Sequence, residues 1–164
     1  MIFVGVDPGK TGYVTICDDE DGCITFHPIP ITNDRLNSNE LYASLDWIEY
    51  TGSGHKIYVE NIHSLFGMSA KSNFSFGGIF YSILAVLDMI GDVTLVQPKE
   101  WQKEMHKGIE NNKDKKVMSL QAAQKLFPDM DFKRTERCKT SDHNLIDSLL
   151  ICEYGKRKYY ENKS

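Results

Sequence analysis

The sequence contains no CxxC pair. Its four cysteines, Cys17, Cys23, Cys138 and Cys152, follow no zinc-ligand spacing among themselves or with histidine, which argues against a structural zinc module. Reduced thiols are expected, with a Cys17–Cys23 bridge across a hairpin as the alternative. No run of about 18 apolar residues occurs, so no segment reads as a membrane span. The opening, Met1–Asp7, lacks a basic stretch and a small-residue cleavage site and reads as a strand rather than a leader. Repeats and low-complexity segments are also lacking. So is net positive charge: the chain carries −4 at neutral pH, which taken whole argues against a nucleic-acid partner.

The distribution of charge reverses that argument. Residues 1–98 hold four Lys/Arg and twelve Asp/Glu, a net of −8, whereas residues 99–164 hold fifteen and eleven, a net of +4. An acidic first part beside a basic second part suits a protein that holds cations on one surface and phosphates on another. The 164 residues fit one domain, 1–164. Ile2–Asp7, Tyr13–Cys17 and Ile24–Phe26 read as strands, with Pro8–Gly12 and Asp18–Gly22 as turns. An amphipathic helix follows over Asn39–Tyr50, with Leu41, Leu45 and Ile48 at helical spacing. Lys56–Ile62 reads as a fourth strand, Ser64–Ser75 as a polar loop and Phe76–Ile90 as a helix buried on most sides. Val93–Val96 is a fifth strand. Helices over Lys99–His106, Lys116–Leu126 and Ser141–Tyr154 complete the chain, the last ending at Gly155 before a basic tail. Three strands joined by tight turns form an antiparallel meander, and strands alternating with helices add in parallel. The expected fold is α/β, one mixed five-stranded sheet flanked by helices.

In such a sheet, sites form where strand carboxyl ends meet. Asp7 ends the first strand and Glu60 the fourth. Brought to one edge, the two carboxylates repel unless a divalent cation lies between them, and all-oxygen donors suit Mg²⁺ or Mn²⁺ rather than zinc. On the last helix His143 and Asp147 share a face, with Asp142 at its margin. Asp147 interrupts the largely apolar run Leu145–Ile151, where a carboxylate needs a partner. Singly these residues have ordinary readings: a turn residue, a surface ion-pair member, a helix-start acid. Together they point to a two-metal site.

At these residues the sequence resembles the RuvC-type Holliday junction resolvases, members of the RNase H-like superfamily, and most closely their small phage-encoded members. Gly5-Val6-Asp7-Pro8-Gly9-Lys10-Thr11-Gly12 resembles the family's first motif. Tyr58-Val59-Glu60-Asn61-Ile62-His63 resembles the second, followed by the Phe-Gly-rich run Phe74–Gly78. Val96-Gln97-Pro98-Lys99-Glu100-Trp101-Gln102-Lys103 and Gln124-Lys125-Leu126-Phe127-Pro128-Asp129 resemble later segments, and Asp142–Ile151 the last motif. The likeness runs in order along nearly the whole chain.

The resemblance implies an RNase H-like nuclease that resolves four-way DNA junctions as a homodimer, by paired nicks leaving 5′-phosphate and 3′-hydroxyl ends. It implies two Mg²⁺ ions, with Mn²⁺ an acceptable substitute. Asp7 and the final-helix residues would hold one beside the attacking water; Asp7 and Glu60 would share the other at the leaving 3′ oxygen. Asp7, Glu60 and Asp147 would be three of the four metal-site positions. His143 is favoured for the fourth, with Asp142 a close rival and Asn144 also at family spacing. His143 would also position the water or transfer a proton. Phe76–Ile90 is the candidate dimer surface, or else a helix buried within one domain. His63, Phe66 and Phe74 are candidates for stacking on an unpaired base. Lys103, Lys107, Lys113, Lys115, Lys116, Arg134, Arg137 and Lys139 are candidate phosphate contacts. No membrane association is expected, and the expected location is the cytoplasm, in a phage or bacterial context.

Overall fold

The computed structural model describes residues 1–62, 67 and 69–163. Five strands form the main sheet: β1 (Ile2–Asp7), β2 (Tyr13–Asp18), β3 (Ile24–Pro28), β6 (His55–Glu60) and β7 (Val93–Val96). Their order is β3-β2-β1-β6-β7. β1, β2 and β3 pair antiparallel, whereas β6 pairs parallel to β1 and β7 parallel to β6. This is the mixed sheet expected from the sequence. A second, two-stranded hairpin, β4 (Ile31–Thr32) and β5 (Arg35–Leu36), was not expected. It turns on Asn33 and Asp34, both at positive φ.

β1 is central, with Ile2–Val6 buried, because helices cover both of its faces. Strand alternation divides the core. Ile2, Val4 and Val6 join Val14, Ile16, Ile57 and Val59 under α1 (Ser38–Leu45) and α2 (Ala70–Ile90). Phe3, Tyr13 and Tyr58 face the opposite layer: α3 (Pro98–Met105), α4 (Lys115–Leu126) and α5 (His143–Glu161). Asp7 and Glu60, in phase with Phe3 and Tyr58, therefore sit on the α5 side of the sheet.

Three helices differ from the sequence reading. The first ends as an α-helix at Leu45 and continues as a 3₁₀ segment over Asp46–Tyr50. α2 begins at Ala70, inside the expected loop, because the Ser69 hydroxyl caps it by accepting from Ser72 N at 3.1 Å. At 21 residues α2 is long and apolar enough to span a membrane, contrary to the length expected; Ile79, Phe80, Ile83, Val86, Leu87 and Ile90 nevertheless pack into the core, each apolar side chain contributing about 1.5–3 kcal/mol. α5 runs through Gly155 to Glu161 instead of stopping. A Cβ on Gly155 would lie 2.1 Å from the Tyr58 ring, so this glycine serves close helix–sheet approach and not termination. Gly5 is its counterpart on β1: a Cβ there would lie 2.3 Å from Ser148 O and Cys152 N. α5 thus lies almost on the sheet backbone. All four cysteines are free, which excludes the Cys17–Cys23 bridge.

Candidate active site

The parallel register pairs Gly5 with Tyr58 and Val6 with Val59. Asp7 and Glu60 follow one step on, on adjacent strands with a spacing of about 4.8 Å. The Pro8–Gly12 turn folds tightly against Asp7, since a Cβ on Gly12 would lie 2.0 Å from the Asp7 carbonyl oxygen. α5 brings Asp147 to the same edge. Its height on the sheet is set by Gly5 and by the buried Thr15–Ser148 hydroxyl pair at 2.6 Å. Because Ser148 donates to Leu145 O, Thr15 is the donor in that pair.

Burial and like charge act together on these acids. Burial raises the Asp7 pKa well above the carboxylate range, and the charges of Glu60, Asp147 and Asp142 raise it further. Burial also raises Glu60, opposed by a hydrogen bond from Trp101. Asp147 is pushed up to about 7, chiefly by burial and also by Glu60, while Ser119 and Lys116 hold it down. Asp147 Oδ1 is buried without a hydrogen-bond partner, as is His143 Nδ1. Each acid is thus costly to ionise without a counter-charge.

An open cleft of about 940 Å³ passes over this edge, lined by Asp7, the glycine turn, Glu60, Lys71, Phe76 and Asn144 among others. Asn144 donates to both Thr11 O and Thr11 Oγ1 at 2.9 Å, tying the start of α5 to the turn beside Asp7. Asp142 and His143 face a neighbouring hollow of about 300 Å³ together with Lys116 and Arg134. Asp142 is the helix N-cap: its Oδ1 accepts from Asn144 N at 3.1 Å and Leu145 N at 3.5 Å, and its Oδ2 accepts from Tyr13 Oη at 3.3 Å. Both oxygens of Asp142 are therefore engaged in holding α5.

The donor set fits a hard divalent cation in its chemistry: carboxylate oxygens, mutual repulsion and an orphaned Oδ1 on Asp147. Among the described residues, however, no three His, Cys, Asp or Glu side chains are already gathered closely enough to hold an ion.

The other predicted residues are scattered. His63 and Phe66 lie outside the described residues. Phe74 sits on the first turns of α2, 85 % exposed, instead of in a loop. Lys103 and Lys115 border a shallow hollow beside His106. Lys107 pairs with Glu104 at 2.7 Å. Lys113, Arg137 and Lys139 are exposed and away from the cleft lining. The sequence reading missed Lys10 and Lys71, cations that line the cleft itself. Lys10 pairs with Asp34 of the unexpected hairpin at 2.8 Å, and its position inside the glycine turn was the available signal. Trp101 was missed as well, although it is the one aromatic in a very polar helix.

No family model and no curated protein matches the sequence. Solved structures do match. RuvC of Thermus thermophilus in complex with a Holliday junction substrate is 12 % identical over 99 % of this chain and 96 % of that one, with a TM-score of 0.65. A further Thermus thermophilus RuvC structure is 13 % identical, covering 99 % and 97 %, with a TM-score of 0.62. The yeast mitochondrial Holliday junction resolvase Ydc2 is 15 % identical, covering 98 % and 81 %, with a TM-score of 0.50. The chain therefore has the RuvC fold from end to end, with Asp7, Glu60 and Asp147 on one edge of its sheet.

Proposed function

We propose that this protein is a structure-specific DNA endonuclease that resolves four-way junctions. The observation that carries the proposal is the strand-end pair Asp7 and Glu60, joined by Asp147 from α5, on a fold shared with a RuvC bound to a junction. When bound, two Mg²⁺ ions supply charge neutralisation for in-line hydrolysis of a phosphodiester. Asp7, between the other acids, would contact both ions; Glu60 and Asp147 would each hold one. Asn144 fixes α5 against the turn, and Asp142 keeps the helix start in place. His143, with Nδ1 buried and unpartnered, is assigned proton handling at the reacting oxygens. Lys10 and Lys71 line the cleft where a DNA backbone would lie, and Lys116 and Arg134 extend the cationic surface past α5.

Paired nicking calls for two sites related by a two-fold axis, so a homodimer belongs to the proposal. The surface that supports it is the outer face of α2, where Phe74, Tyr81 and Met89 are 85 %, 70 % and 64 % exposed. Such a large apolar stripe on one helix marks an interaction face. A location inside the cell, where DNA junctions arise, follows from the same reading.

The test is cleavage of a synthetic four-way junction beside a plain duplex and an RNA–DNA hybrid, with and without Mg²⁺. Nicks confined to the junction and dependent on the ion support the proposal. Preferential cutting of the hybrid would make the protein an RNase H-like nuclease instead, and tight junction binding without cutting under Mg²⁺ or Mn²⁺ would make it a binding module.

A further inference from the structure

Behind the acidic edge, α3 and α4 carry polar groups that the proposed reaction does not itself require. Trp101 is fully buried, and its Nε1–H donates to Glu60 Oε1 at 2.8 Å. The His106 ring stands edge-on to Trp101, centroids 6.2 Å apart at 75°. His106 Nε2 lies 3.2 Å from Ser119 Oγ on α4, with the two residues 8 % and 2 % exposed. Ser119 lies on α4, which packs against α5, and it holds the Asp147 carboxyl down against the effect of burial, while Asp147 Oδ1 itself has no hydrogen-bond partner. The contacts run from one candidate ligand to Ser119, beside the helix that carries another, through two helices that bear no candidate ligand of their own.

We propose that Trp101, His106 and Ser119 form a positioning bridge: Trp101 aims Glu60 at the divalent ions from behind, and the Ser119 hydroxyl donates to the unpartnered Asp147 carboxyl when the ions bind. The proposal rests on the metal-dependent reading given above. The physical need is plain in this structure. The carboxylates repel one another, so each ligand needs a neutral donor that holds it in place without neutralising its charge. An indole N–H and a hydroxyl are such donors. A lysine at either place would compete with the cation. Outer groups of this kind orient ligands, and their loss typically weakens metal binding 10–100-fold.

The experiment is Mn²⁺ titration by calorimetry on the full chain and on Trp101→Phe and Ser119→Ala, with thermal melts of each. Trp101→Phe keeps an aromatic side chain, though a smaller one, and removes the N–H; Ser119→Ala removes the hydroxyl. Both should bind Mn²⁺ about tenfold or more weakly, with Ser119→Ala melting close to the parent. A second readout leaves the bridge intact. In Trp47→Phe protein Trp101 is the one remaining tryptophan, and its emission should change at the Mn²⁺ concentrations that saturate the calorimetric signal. Unchanged affinity in Ser119→Ala and in folded Trp101→Phe, or emission that stays constant through saturation, overturns the bridge while leaving the metal site standing. If the parent protein binds no Mn²⁺ at all, the metal-dependent reading falls and the bridge falls with it.

Discussion

Asp7 concentrates the tension in this molecule. It is buried among Glu60, Asp147 and Asp142, each of which disfavours its charge. Asp7→Asn should therefore abolish cleavage, retain junction binding and stabilise the metal-free fold. Relief of about 1–2 kcal/mol of repulsion and desolvation would raise the melting temperature by roughly 3–6 °C at pH 8. A melting temperature below the parent's would contradict this account of Asp7. The pH dependence follows from Asp147, which titrates near 3.8 when unfolded and about 7 when folded. Between these values the folded protein binds more protons than the unfolded chain, so stability falls as pH rises across that window and stays lower above it. Asp7 and Glu60 act in the same direction. Asp19, Asp34 and Glu104, whose pKa values are lowered, stabilise in the opposite sense and lose that contribution only as pH drops below about 4. His27 and His106, whose pKa values burial lowers, oppose this as pH falls below about 6.5, but the three raised acids outweigh them; the metal-free protein should therefore melt higher at pH 5 than at pH 8, with saturating Mg²⁺ narrowing the gap, and scanning calorimetry at the two pH values checks both statements.

The helix that matters most is α5, and two glycines set its height above the sheet. Gly5→Ala would drive a Cβ into helix backbone that has no rotamer with which to yield. A loss of roughly 2–3 kcal/mol is expected, together with weaker Mn²⁺ binding because Asp147 rides on the displaced helix. A melt and titration matching the parent would show that α5 is not held by this contact. Much at this scale was legible in the sequence. Largely apolar runs between turn residues mark β1, β6 and β7, and the carboxylates that end β1 and β6 follow. The rest was hidden for identifiable reasons. The β4–β5 hairpin has strands of two residues, too short to alternate, and turns on Asn-Asp, which lacks the glycine that usually announces such a turn. The first turns of α2 are rich in Ser, Asn and Lys, so only the Ser69 cap betrays the start. Gly155 looked like a stop because a missing Cβ has the same appearance whether it ends a helix or lets one pack closely. At the site, Asp142 is visible as an acid, but the hydrogen bond its Oδ2 accepts from Tyr13, 129 residues away, is not. Trp101 reaches Glu60 across 41 residues, a pairing no local pattern displays.

At the scale of the whole molecule, the acidic first part supplies the five strands of the sheet and the basic second part packs on it as helices, with Lys116 and Arg134 in the hollow beside Asp142 and His143. Junction binding should weaken steeply with added salt, as phosphate contacts release counter-ions; binding that is flat between 50 and 200 mM salt, a range of about fourfold, would argue against backbone recognition. The exposed stripe on α2 predicts self-association. Tyr81→Arg should shift sedimentation toward the monomer and turn paired nicking into single nicking, without touching the acidic edge; an unchanged sedimentation profile would rule this face out as the interface. The most direct test of the central claim is a four-way junction with labelled opposed strands, incubated with the parent protein or Asp7→Asn, with Mg²⁺ or with chelator. The account predicts symmetric nicks in opposed strands from the parent with Mg²⁺ alone, and intact junction in every other lane. Cleavage that persists in chelator or in Asp7→Asn would contradict it.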